Sequence, residues 1–467
     1  MNESGKGPTN ESYREGRRIK EKNKIDMLNG PLLKKIILFA IPLAITSALQ
    51  QLFNAVDSAV VGTFASKEAL AAVGSNSSVI GLFVTLFVGL TLGANVIIAS
   101  YIGSGKLEKI QDAVHTTMML AVVSGAVLLV AGQFIARPLL VLMQAPPEVL
   151  DLAVTYLRIV FLGMPFFMLY NFGSAVLRSK GDSKRPLFCM MAAGVVNVGL
   201  NLFFVIQFNM SVVGVALATD ISNALSGSLV VWLLIKEEEP FRLHIRKLRF
   251  VKEHLVKIFK IGGPAGIQGL VFTGSNVLIQ SALNGLGASV IAGSAAAVNF
   301  ELFSYYIINA FCQAAATFIS QNYGAGNSSR CNRIFYISSA AAAISSVILC
   351  TFCLLMRTEM MGLFSSDPEV IHYGTVRLVR ILTLAFIVTS YEIGGAALRG
   401  LGYSMTPAVL TIIGTCILRV LWVITVFQKW HTYETLLLVY PLSWIITGSA
   451  VLVAYFILRK KAYAKLP

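Results

Sequence analysis

The sequence predicts an all-α polytopic membrane protein, with twelve transmembrane helices arranged as two six-helix bundles in parallel repeat. Three observations predict it: a composition too apolar for a soluble chain, membrane-length apolar stretches from end to end, and a motif pattern that recurs at one offset. Charged residues make up 13 % of the 467, against roughly 25 % in soluble domains, and mean hydropathy is +0.72. Lipid, rather than packing alone, must cover such a surface.

Twelve stretches with few or no charges approach or exceed the ~20 residues that a helix needs to cross a bilayer. They are 36–63, 69–100, 113–136, 152–175, 187–207, 212–235, 256–284, 289–320, 334–356, 375–397, 407–427 and 434–458. Helices are expected because backbone groups in hydrocarbon must be satisfied within their own segment, and these runs are far longer than barrel strands. Residues 1–31 are polar and basic, with no apolar core of the signal-peptide kind, and are read as a disordered cytoplasmic tail. The remaining organisation follows as an N-terminal lobe over 32–235, a cytoplasmic linker over 236–255, a C-terminal lobe over 256–458 and a short cytoplasmic tail over 459–467.

Charge sets the orientation. All but eight of the 38 Lys and Arg lie on the N-terminal tail, on alternate loops or at the C-terminus. Positive loops stay inside, so both termini are expected in the cytoplasm of a cell whose plasma membrane the chain spans. The net charge of +15 then faces anionic membrane lipid and calls for no nucleic-acid partner. The six cysteines show no paired loop spacing, and Cys350 and Cys353 lie inside an apolar stretch, which reads as packing rather than metal or redox chemistry.

A shift of 221 residues brings Leu177-Arg178-Ser179-Lys180-Gly181, ending at Pro186, onto Leu398-Arg399-Gly400-Leu401-Gly402, ending at Pro407. The same shift places Gly103-Ser104-Gly105 on Gly324-Ala325-Gly326, and a shift of 222 pairs Pro42 with Pro264. Each half holds six spans, an even number, so both halves enter the membrane the same way round. The cleft between two such lobes opens to one side and then the other as they rock, which is the geometry of alternating access.

Four acids fall within the spans: Asp57, Asp220, Glu301 and Glu392. A carboxylate in hydrocarbon costs several kcal/mol unless it is paired, hydrated, protonated or bound to a cation, so each is a candidate for work. Asp57 lies about 32 Å along its helix from the inner end of the first span. Asn54 precedes it by one turn and Gln50 by two, a polar stripe that faces either a cavity or neighbouring helices. Pro42, about four turns earlier, removes a backbone hydrogen bond and makes the helix either a hinge or a fixed kink. Asn197 and Asn201 share one face of the fifth span, and Thr219 and Asp220 sit near the middle of the sixth; they either surround an acid with oxygens or cross-link helices. Asp220, Gln50 and Asn54 are assigned to a substrate cavity. Glu392 aligns with Asn171 at the repeat offset, and Arg419 in the eleventh span is a candidate counter-charge for a second-lobe acid.

Phe53-Asn-Ala-Val-Asp-Ser-Ala-Val-Val-Gly62, the twin Leu-Arg-x-x-Gly motifs and Ile319-Ser-Gln-Asn-Tyr-Gly-Ala-Gly326 resemble multidrug and toxic compound extrusion (MATE) transporters over about 33–460. The resemblance implies a V-shaped pair of bundles that exports small cationic amphipathic compounds in exchange for inward sodium ions or protons, with no cofactor beyond the coupling ion. It implies an ion-coupling group of Asp57, Asn171, Asn197 and Thr219, with bending of the first helix at Pro42. Many members carry a second Asp where this chain has Asn201, which leaves the identity of the coupling ion open. Glu301 and Glu392, with Arg419, make a candidate cation or substrate site in the second lobe. One chain contains both halves of the pathway, so a monomer is expected to suffice.

A flippase for lipid-linked sugars shares this architecture, but its anionic cargo calls for several bases in the cleft, whereas the deep spans here offer mainly acids. An enzyme needs nucleophile, base or metal ligands at one depth, and the five His residues are scattered at 115, 244, 254, 372 and 431. No Gly-x-x-x-x-Gly-Lys-Ser/Thr loop is present, so uphill transport must draw on an ion gradient.

Overall fold

The computed structural model describes residues 24–143 and 146–466, and no strand occurs among them. The first lobe comprises α1 (Leu32–Phe64), α2 (Lys67–Gly103), α3 (Leu107–Leu142), α4 (Pro147–Leu162), α5 (Met164–Ser179), α6 (Lys184–Leu202) and α7 (Ser211–Ile235). The second begins with α8 (Lys252–Asn284), α9 (Ala288–Gly324) and α10 (Ser328–Leu355). It continues with α11 (Pro368–Leu382), α12 (Val388–Gly400), α13 (Met405–Thr411), α14 (Leu418–Ile424) and α15 (Tyr433–Tyr463). Large apolar side chains such as Phe134 and Val195, both 76 % exposed, point away from the lobes, as a lipid-facing surface requires.

Among the described residues eleven stretches are long and apolar enough to cross a membrane, two of them built from consecutive helices (α11 with α12, and α13 with α14), and α4 with α5 makes a twelfth that bends by 46°. The stretch 152–175 is therefore not the straight span that its hydropathy suggests. Gly163 stands between the two helices and Pro165 opens the second, where its missing N–H breaks the ladder. The tenth span is likewise interrupted, by a 3₁₀ turn at Ala385–Ile387, and the fifth and eleventh loosen into π turns at Phe203–Gln207 and Ile412–Ile417. Pro42, by contrast, sits inside an unbroken α1, and Thr46 donates its hydroxyl to the Pro42 carbonyl at 2.7 Å.

Most of the segment assigned to a tail lies outside the described residues, but residues 24–31 are anchored rather than loose. The Ile25 N–H donates to the Gly181 carbonyl in the first lobe at 3.1 Å. From the second lobe, Asn322 donates to the Met27 carbonyl at 3.1 Å, and Arg330 donates to the Asn29 carbonyl at 3.0 Å. Met27 is 1 % exposed. Disorder is excluded here because fixed donors of both lobes claim the carbonyls of this short stretch.

Between the lobes, residues 236–251 run across the end of the first bundle. Leu243 is buried, and Glu237 is held by Lys180 and by Arg185 at 2.6 Å. Burial pushes the Glu237 carboxyl up, but the charges of Lys180 and Arg185 outweigh it and keep it below the usual carboxylate value.

The lobes meet through glycines. A Cβ on Gly89 would stand 2.3 Å from the Gly266 nitrogen, and one on Gly93 would stand 2.4 Å from the Ile258 carbonyl oxygen. Gly89 and Gly93 on α2, and Gly262 and Gly266 on α8, are Gly-x-x-x-Gly pairs, the pattern that lets two membrane helices approach backbone to backbone. Farther along, Gly103 lies against the Gln321 carbonyl and Gly324 against that of Ser100. All these approaches fall on the side of α2, α8 and α9 that carries the two termini and the linker. The structure is closed at that end. Gly93→Leu is expected to hold the lobes apart there by a few ångström, because the new side chain meets backbone rather than a movable side chain. Spin labels on Lys106 and Ser329 read the change, and an unaltered distance distribution counts against this closure.

Candidate functional site

Asp57 faces into the first lobe and is 5 % exposed. Its Oδ1 accepts from Asn201 Nδ2 at 2.5 Å, and its Oδ2 accepts from the Thr219 hydroxyl at 3.1 Å. The i,i+4 spacing on α6 stacks Asn197 below Asn201, so that Asn201 Nδ2 also reaches Asn197 Oδ1 at 3.2 Å. Asn197 Nδ2 in turn lies 3.4 Å from the Thr219 hydroxyl. Three helices thus bring one carboxylate, two amides and a hydroxyl together.

Among the described residues no Lys, Arg or His forms an ion pair with Asp57. Asn201 Oδ1 is buried and has no hydrogen-bond partner. A carboxylate in this setting has one charge to neutralise and neutral oxygens around it. A proton or a small monovalent cation does that; a multi-carboxylate metal site is not present among the described residues.

Asp220, the next residue after Thr219, turns elsewhere. Its carboxylate packs into the α4–α5 bend, where a Cβ on Gly163 would stand 2.1 Å from Oδ1. The Tyr156 ring on α4 is buried.

A cavity of about 430 Å³ lies between the lobes, and Asp57 is not on its walls. Gln50 and Asn171 line it from the first lobe, and Glu392 lines it from the second. Asn54 and Asp220, assigned to this cavity from sequence, are not on its walls: Asn54 is exposed on α1, a turn beyond Gln50, and Asp220 is drawn to the bend at Gly163. Asn171 does not join the Asp57 cluster either, and it donates to the Phe167 carbonyl of its own helix at 2.8 Å. Aromatic faces of Phe167, Phe272, Tyr305 and Tyr391 complete an amphipathic wall.

The second lobe differs from its expected arrangement. Glu301 is already paired: Arg377 Nε and Nη2 donate to its two oxygens at 2.6 and 3.0 Å. Among the described residues Arg419 forms no ion pair with an acid. It donates to Asn276 Oδ1 at 2.9 Å and lies over the rings of Phe272 and Tyr440, at 5.2 and 4.6 Å from their centroids. The expected grouping of Glu301, Glu392 and Arg419 is therefore absent, because Arg377 satisfies one member and Asn276 another, and Glu392 alone opens to the cavity. Arg377 stands at the start of the apolar stretch 375–397, and only the pairing of α9 with α11 identifies its partner.

A family model described as MatE matches residues 42–225 and 264–424. The chain belongs to the MATE family. A probable multidrug resistance protein of Bacillus subtilis, YpnP, is 28 % identical over 444 residues, covering 94 % of this chain and 98 % of that one. An FAD transporter of Shewanella oneidensis is 24 % identical over 356 residues, covering 75 % and 78 % of the two chains. Among solved structures, an outward-facing multidrug resistance MATE transporter superposes with a TM-score of 0.87 at 20 % identity, over 94 % of this chain and 98 % of the other. This MATE protein is thus a multi-pass membrane transporter of a multidrug efflux family and not an enzyme, and the lipid-linked sugar flippase is not favoured. The two-lobed MATE fold explains why one cluster lies inside a lobe and one cavity lies between lobes.

Proposed function

We propose that this MATE transporter expels small amphipathic organic cations in exchange for inward protons or sodium ions, with Asp57 as the coupling group. The observation that carries the reading is a buried carboxylate ringed by Asn197, Asn201 and Thr219 that forms no ion pair among the described residues. Such a group needs a proton or cation to be neutral, and the unpartnered Asn201 oxygen offers one more ligand to a cation. Cargo occupies the separate central cavity, where Glu392 attracts the cationic end and the aromatic faces receive the apolar body. Neutralising Asp57 alters how α1 packs on α6 and α7, and Pro42 marks where α1 bends in response.

The reading places the protein in the plasma membrane as a monomer, with anionic lipid against its basic cytoplasmic ends and both termini inside. It is tested by loading vesicles with a fluorescent cationic dye and imposing sodium and proton gradients separately. Dye movement under one gradient names the ion. Movement under neither removes the exchanger reading.

A further inference from the structure

The repeated Leu-Arg-x-x-Gly motif does more than mark a duplication, because both of its arginines reach the central cavity. Arg178 closes the last turn of α5, and Arg399 the last turn of α12. Arg178 Nη1 donates to Gln313 Oε1 at 3.0 Å, and Arg399 Nη2 donates to Gln268 Oε1 at 2.7 Å. Neither makes an ion pair among the described residues. Arg399 is 6 % exposed, and its Nε is buried with no hydrogen-bond partner. A guanidinium carries five donors, and one neutral amide oxygen leaves most of them without a partner.

The same wall holds one acid. Glu392 precedes Arg399 by seven residues on α12, two turns apart on one face and about 10 Å along the axis. Its own polar contact is Cys312, whose Sγ lies 3.8 Å from Oε2. The cavity therefore presents two positive groups and one negative group, separated along a helix, with aromatic rings between the lobes. Arg399 is buried and Arg178 half-buried, and a guanidinium held there by one neutral oxygen is stabilised when an anion arrives to meet its free donors.

We propose that Arg178 and Arg399 form an anion subsite of the central cavity, which takes the carboxylate, sulfonate or phosphate group of an amphipathic cargo whose cationic end lies toward Glu392. This deepens the reading of the cavity as the cargo site and rests on it. It narrows the cargo from cations in general to compounds that carry both charges, and each lobe contributes one arginine through the same motif.

The test uses the full chain in micelles of an uncharged glucoside detergent, which brings no charged headgroup to the cavity. The probes are a rhodamine with a free carboxylate and its methyl ester, which share the cationic ring system and differ only in the acid. Wild type is expected to bind the free acid roughly tenfold more tightly than the ester, the scale of one charge-assisted contact. Arg399→Gln and Arg178→Gln are each expected to remove most of that preference, and Arg399→Lys to restore part of it. A merely bracing role for the arginines predicts equal weakening of both probes, which overturns the proposal. Equal binding of both probes by wild type also overturns it and leaves the cargo reading standing. Binding of neither probe removes the cargo reading and the subsite together.

Discussion

Asp57→Asn is expected to reduce gradient-driven efflux to the level of empty vesicles, a loss of at least about tenfold, or about 1.4 kcal/mol in driving terms. The substitution keeps size and shape but removes the one charge that the site must neutralise. Asn201 and Thr219, which now donate to Asp57, can donate to one amide oxygen of the replacement, so the fold should survive. Normal membrane levels and an unchanged melting temperature with lost transport separate coupling from stability. Asn201→Asp is the complementary change. Two carboxylates at the present 2.5 Å contact repel unless a cation lies between them, so sodium dependence should rise by roughly tenfold or more over wild type. Wild-type transport by Asp57→Asn sinks the coupling assignment, and unaltered sodium dependence in Asn201→Asp sinks the role given to Asn201.

The repeat makes the two lobes comparable and shows why only one is expected to couple. Asp57 and Asn201 lie on the first and fifth spans; Asn276 and Arg419 lie on the corresponding seventh and eleventh. Where the first lobe has a carboxylate that needs a cation, the second has a tethered cation of its own, donating to Asn276. A permanent guanidinium cannot leave, so this position carries no ion cycle. The cavity is asymmetric in the same way, with Asn171 of one repeat and Glu392 at the matching position of the other on its walls.

Much of this architecture is legible in the amino-acid sequence. Hydropathy located the spans because lipid demands an unbroken apolar helix, and it missed the α4–α5 bend because apolar composition is blind to direction. Pro165 and Gly163 carried that signal. The Asn197–Asn201 pair was legible because i,i+4 spacing on a helix is local, whereas its meeting with Asp57 was implied only by the family resemblance. Pairings across helices were not: nothing in the spacing of Glu301 and Arg377, 76 residues apart, states that they meet. The glycine contacts between lobes were written in the sequence as two Gly-x-x-x-Gly pairs, but that pattern names a close approach without naming its partner.

Glu301→Leu, and equally Arg377→Leu, should destabilise the second lobe by about 3–5 kcal/mol, the cost of leaving one charge of a buried pair alone. The side chains are 15 % and 6 % exposed, the contact is two-pronged, and Arg377 also donates to the Ser294 hydroxyl at 2.8 Å. The Arg377 guanidinium lies 5.4 Å from the centre of the Tyr440 ring, whose ring also receives Arg419 at 4.6 Å. Losing Glu301 therefore leaves two cations around one aromatic ring with no acid. The double variant Glu301→Leu with Arg377→Met removes both charges while keeping similar volume, and should recover most of the loss. Thermal unfolding of the purified protein, followed through buried cysteines that become reactive, measures all three. Full stability in the single variants would mean that water reaches the pair, and Glu301 would then be free to serve cargo. A loss in the singles that the double variant reverses assigns the pair to architecture, and leaves Glu392 as the acid that cargo meets.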